Sequence, residues 1–141
     1  MIPQRSYDIE DPLIEEARHY RWLSCAAKLA HKSTYKKYKM AAVCVKGGRV
    51  VGVGFNKDKN GVIKNKNYLL KGHHAELDLI LSMPREVLKG SIIYVAGITR
   101  GGSLCWSSKP CSACQATLRS YGIKAAIYHD QYGRAYEWRT K

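Results

Sequence analysis

Two short apolar runs, Ser91 to Ala96 and Ile123 to Tyr128, each come directly after a segment with helical character. A helix supplies the dozen or more residues that a parallel crossover needs, so these runs can join one sheet as parallel neighbours. The first of the preceding helices should begin at about His73, turn Leu77, Ile80 and Leu81 inward and stop at Pro84. The second should begin at Pro110 and run to Tyr121, with Gly122 as its stop. Upstream, Asp11 and Pro12 read as N-cap and first helical position. Leu13, Ala17, Tyr20, Leu23, Ala27 and Ala30 then recur at steps of three and four, one amphipathic helix ending near His31 to Thr34. Ala41 to Val45 and Arg49 to Phe55 flank Gly47-Gly48 and read as a hairpin. The expected fold class is therefore α/β, a three-layer α/β/α arrangement around one mixed sheet of four to five strands. Ala135 to Arg139 is left open as the fifth. Only Asp130 to Arg134 separates it from the strand before, so if it forms it must run antiparallel.

Residues 1–141 are enough for one core and are expected to form a single domain. The longest apolar runs fall far short of the roughly 18 residues of a membrane span, and Met1 to Glu10 lacks the apolar core of a secretory signal. No membrane partner and a cytoplasmic, reducing location are the expectations. Five cysteines, scattered except for Cys111 and Cys114, fit no secreted disulfide framework. Cys25 and Cys44 fall in patterns that read as buried helix and strand, where a free thiol packs as a small apolar group. Cys105 is unassigned. The 24 Lys and Arg outnumber the 11 Asp and Glu, a formal charge of +13. This excess points to a polyanionic partner, but charge bears on association and not on chemistry. Lys57, Lys59, Lys64, Lys66 and Lys71 lie between Asn56 and Gly72, a long polar loop of the kind that usually carries function.

The chemistry lies in two segments, His74-Ala75-Glu76 and Pro110-Cys111-Ser112-Ala113-Cys114. Cysteines three apart at the start of a helix share one face and can reach a single ion. The unsatisfied amides of that first turn favour thiolate over thiol. Should the two helix starts converge, His74 adds a third, neutral ligand and leaves one tetrahedral position open, as in a catalytic zinc site. A lone Cys-x-x-Cys also suits half of a four-ligand structural site or a redox pair, but no second Cys-x-x-Cys exists here.

Taken together, H-x-E followed by P-C-x-x-C is the established signature of zinc nucleobase deaminases. The chain resembles the cytidine and deoxycytidylate deaminase superfamily from the first helix to the strand ending at Tyr128. The resemblance implies one Zn2+ per chain on His74, Cys111 and Cys114, whose bound water has its pKa lowered toward about 7. It also implies that Glu76 is not a ligand but the proton carrier. His73 is chemically able to bind metal, but the pattern selects the histidine two before the glutamate. By the same resemblance Asn56 contacts the substrate sugar, the Ala75 N–H recognises the base, and the Lys109 carbonyl receives the leaving amine. Trp106 is similar to a base-stacking Trp of polynucleotide deaminases, displaced here by Ser107 and Ser108.

Several substrates share this chemistry. Cytosine in single-stranded nucleic acid is favoured by the charge, by the loop lysines, and by Tyr68 and Trp106 for stacking. A free cytosine nucleotide or nucleoside is the alternative, although the Gly- and Pro-containing run that usually follows the Asn in deoxycytidylate deaminases is missing. A tRNA adenosine deaminase shares the Gly-x-Gly-aromatic-Asn segment, but there is no room for the helix that group has after its fourth strand. A non-catalytic nucleic-acid-binding domain would be expected to lack a ligand or the Glu, and all four residues are present. A homo-oligomer is left open.

Overall fold

The computed structural model describes residues 11–35, 38–57 and 74–140. The elements in chain order are β1 (Leu13–Ile14), α1 (Ala17–Ala30), β2 (Tyr38–Lys46), β3 (Arg49–Phe55), α2 (Ala75–Leu81), α3 (Arg85–Leu88), β4 (Ile92–Thr99), α4 (Ser112–Ser120), β5 (Ala125–His129) and β6 (Ala135–Arg139). The strands form one six-stranded sheet in the order β1-β6-β5-β4-β2-β3. β4 and β5 are parallel, as their preceding helices require, and every other pairing is antiparallel.

Strand alternation divides the core into two faces. Ala42 and Cys44, Ile93 and Val95, and Ala126 and Tyr128 pack with Leu79, Ile80, Leu88 and Leu118 of the later helices. Val43, Val45, Tyr94, Ala96 and Ile127 face the other way, onto Leu23 and Ala26 of α1. The result is the expected three-layer α/β/α fold. Cys44 is fully buried in this core, and burial pushes its thiol pKa up. Cys25 is partly exposed. No described helix is long and apolar enough to cross a membrane.

The hairpin between β2 and β3 turns on Gly47 and Gly48, with φ of 62° and 77°. Two consecutive left-handed residues are what a two-residue hairpin turn demands, and glycine adopts them without strain. β6 forms and runs antiparallel to β5, so the fifth strand left open is present. The sheet exceeds the expected four to five strands because Leu13–Ile14 pairs with Tyr136 and Ala135 of β6.

That pairing corrects the start of the first helix, which begins at Ala17 and not at Pro12. Glu137 donates its backbone N–H to Pro12 O at 3.0 Å. The Asp11 carboxylate, instead of capping a helix, accepts from Tyr128 Oη and pairs with Lys109 Nζ at 2.8 Å. Local capping signals lost to an open sheet edge that could bury Ile14. Pro84 does end the catalytic-segment helix, but it also opens the one-turn α3, which the periodicity did not reveal.

Candidate active site

The N-termini of α2 and α4 meet at one end of the sheet. His74 is the N-cap residue of α2 and Cys111 that of α4, and both have extended backbone. Cys114, one turn into α4, donates its backbone N–H to Cys111 Sγ at 3.5 Å. The His74 Nδ1 atom lies 3.6 Å from Cys111 Sγ and 3.4 Å from Cys114 Sγ, and all three donor atoms fall within 4.8 Å of one another. Zinc bonds of about 2.0–2.1 Å to nitrogen and 2.3 Å to sulfur at tetrahedral angles require N–S edges of about 3.5 Å. The donor set thus fits zinc in both chemistry and size. Three ligands leave a fourth position free for water or substrate.

Electrostatics agree with a cation site. A hydrogen bond from Cys114, then one from His74, outweigh burial and pull the Cys111 thiol down to about 4, so it is a thiolate at neutral pH. The same contact raises His74. Glu76 is only 5% exposed, in the first turn of α2, and burial pushes its carboxyl pKa upward. A carboxyl whose pKa moves toward neutrality is suited to shuttling protons. His74, Glu76 and Cys111 line a cleft of about 390 Å³ together with Tyr35, Tyr38, Met40 and Trp106.

The family model of the cytidine and deoxycytidylate deaminase zinc-binding region matches residues 16–130. The chain belongs to that family. It is 28% identical over 120 residues to the deoxycytidylate deaminase of Schizosaccharomyces pombe, covering 79% of this chain and 36% of that protein. It is 26% identical over 126 residues to the deoxycytidylate deaminase of Mycobacterium phage D29, covering 76% of this chain and 90% of that one. The chain therefore spans about a third of the yeast protein and most of the phage one. Among solved structures it resembles the dCMP deaminase of cyanophage S-TIM5, with a TM-score of 0.57 and 19% identity over 80% of this chain and 82% of that one. This last likeness speaks to the fold.

Within this deaminase cleft, the residues expected to touch substrate take distinct positions. Ala75 is buried on the cleft wall, and Trp106 stands on it 43% exposed. Lys109 lines the cleft as well, with its ammonium on Asp11 and 5.6 Å from the centre of the Tyr128 ring. Asn56 is buried and lines the cleft, yet most of its amide is engaged by the framework. Its Oδ1 accepts from Met40 N at 2.8 Å and its Nδ2 donates to Tyr38 O at 3.1 Å. Lys59, Lys64, Lys66, Lys71, Tyr68 and His73 lie outside the described residues. Lys57 is described, and it pairs with Asp78 of α2 at 2.9 Å.

Sequence reasoning missed several groups that build this deaminase cleft. Tyr35 and Tyr38 on its wall carry no motif, and only the topology brings them near Glu76. Gly54 is where α2 approaches the sheet. A Cβ there would lie 2.5 Å from both Ala75 O and Leu79 N, so only glycine lets the Glu76 helix sit at this depth. Ser108 ties the loop before Cys111 to the sheet, donating to Val95 O at 2.7 Å and accepting from His129 N at 2.8 Å. The buried His129 ring accepts from Gly97 N at 3.0 Å and donates to Asp130 O at 3.0 Å.

Proposed function

We propose that this chain hydrolytically deaminates the cytosine of a free nucleotide, of the dCMP type, to uracil. The observation that carries this is the buried Glu76 beside an open His74–Cys111–Cys114 donor set within a cleft. Zinc held there supplies Lewis acidity, lowering the pKa of water enough for attack at neutral pH. Water adds at the ring carbon bearing the amino group, and ammonia leaves. Glu76 Oε accepts one proton of the attacking water and delivers it to the adjacent ring nitrogen, then takes the second proton from the hydroxyl now on the ring carbon and passes it to the departing amine, so that the C–N bond breaks as the carbonyl forms. Ala75, buried between ligand and acid, presents its backbone to the base. Trp106 and the Lys109 backbone bound the same cleft and are assigned to the base and its leaving amine, while Asn56 holds the wall on which the sugar rests.

The choice of a nucleotide over a polynucleotide rests on the relatives, whose names are those of deoxycytidylate deaminases. It is also supported by the described lysines of the cleft, which are paired with Asp78 and Asp11. The charge of +13 is what favours single-stranded nucleic acid. Zinc-loaded protein offered dCMP, cytidine, a cytosine-containing oligonucleotide and tRNA, with uracil or inosine read by mass spectrometry, tests the choice. dCMP is expected to give dUMP. Uracil formed only in the oligonucleotide would overturn the nucleotide assignment.

A further inference from the structure

Tyr35 and Tyr38 lie edge-to-face, with ring centroids 5.0 Å apart and planes at 70°, and both line the cleft that holds Glu76. Tyr35 is only 8% exposed. Among the described residues neither phenol hydroxyl has a hydrogen-bond partner. A buried hydroxyl left unsatisfied is destabilising, and native structures retain such groups chiefly where a ligand, ion or water completes them.

The pair is held in place by the framework. Ser33 Oγ accepts from Tyr35 N at 3.1 Å and lies 2.7 Å from Asn56 O, to which it donates. Asn56 in turn donates to Tyr38 O and accepts from Met40 N. Ser33 and Asn56 thus fix the backbone under both rings, the buried Tyr35 and the more exposed Tyr38, the preorganisation expected of groups that meet a ligand. Burial, then the neighbouring Tyr35, Glu76, Cys105 and Cys111, raise the Tyr38 pKa, so its hydroxyl remains a donor at neutral pH.

We propose that Tyr35 and Tyr38 form a second recognition point, their hydroxyls hydrogen-bonding the sugar–phosphate of a cytosine nucleotide whose base lies against Ala75 and Glu76. The inference rests on the deaminase function proposed above. The described cleft lysines, Lys57 and Lys109, already face carboxylates at 2.9 and 2.8 Å, so the phenols are donors on this wall with capacity to spare. A phenol suits either acceptor beyond the base, donating to a phosphate oxygen or exchanging hydrogen bonds with a sugar hydroxyl.

The test is steady-state kinetics of the zinc-loaded protein and its Tyr35→Phe and Tyr38→Phe variants on dCMP and deoxycytidine, with zinc content measured alongside. Phenylalanine keeps the ring and its packing and removes only the hydroxyl. The expected result is a KM for dCMP raised about tenfold or more in at least one variant, with kcat within about threefold and zinc unchanged. A rise confined to dCMP puts the hydroxyl on the phosphate, and an equal rise for deoxycytidine puts it on the sugar. If Tyr35→Phe fails to fold, Tyr38→Phe decides. Parental KM values in the variants that fold overturn the inference while leaving the deaminase function standing. A parent protein that turns over neither compound removes that function, and the inference with it.

Discussion

Glu76 and Cys114 sit within the same few ångströms, yet they should fail differently when replaced. In the proposed mechanism Glu76 accepts and returns protons without holding metal. Glu76→Gln should retain zinc and the fold while turnover falls by at least roughly 10²–10⁴-fold, the usual range for a general acid–base group. Cys114→Ala removes a sulfur donor from the proposed three-ligand set, and metal analysis should find the zinc lost along with activity. Zinc retained in Cys114→Ala would contradict the proposed ligand set. Near-parental turnover in Glu76→Gln would contradict the proton path. Cys114 was legible as a donor candidate because spacing within a helix turn places it on one face with Cys111, whereas Glu76 was marked by the resemblance. Asn56 shows the limit at this scale. Its place on the cleft followed from the resemblance, but its hydrogen bonds to Met40 and Tyr38 depend on how the start of β2 lies beside it in the folded sheet.

The docking of α2 on β3 determines how deep Glu76 lies. Gly54 permits the contact, and the Asp78 carboxylate locks it, accepting from Phe55 N at 2.9 Å and pairing with Lys57. Gly54→Ala would place a methyl against the helix backbone, which cannot yield as a flexible side chain does. Overpacking of this kind costs about 1–3 kcal/mol. Thermal melts should show that loss, and kcat should fall further than stability explains because Glu76 moves with its helix. An unchanged melting temperature and kcat would mean that the helix has slack there. The helices α2 and α4, the hairpin and the parallel pair β4–β5 were readable from periodicity and turn residues. β1 was not, because Asp11-Pro12 carries a genuine helix-start signal that a tertiary edge pairing overrode.

Across the whole molecule, buried histidines link stability to pH. Burial lowers the pKa of both His129 and His19, so each is neutral in the folded chain at a pH where the unfolded chain would protonate it. The unfolded state then binds more protons, and stability must fall as pH drops below the ordinary histidine value of about 6.5. Protonated His129 would also lose its acceptor for Gly97 N–H. The melting temperature at saturating zinc should therefore decline as pH falls through the ordinary histidine range, and NMR titration should show the His129 ring protonating at a lower pH than an ordinary histidine. A ring that titrates at 6.5 would remove this linkage. Asp130 adds a second, more acidic loss. Burial works to raise its pKa, but hydrogen bonds from Tyr136, Arg134 and Tyr132 outweigh that and lower it. Its contribution is present above about pH 4 and disappears below.

The sequence by itself determined the layered α/β class and the candidate cysteine donors, while the resemblance marked His74 as the third donor and Glu76 as the acid. The class and the cysteine pair follow from local rules: helical and strand periods, the residues needed for a crossover, and ligand spacing within one turn. The tertiary structure alone decided the sixth strand, the depth of Glu76, the framework role of Asn56 and the tyrosine wall of the cleft. Those depend on which side chains meet across the sheet, as when Tyr35 and Tyr38, Asn56 and Glu76 converge from three separate stretches of chain. No local pattern encodes such a meeting, because it is the sum of many weak packing choices made far apart in sequence.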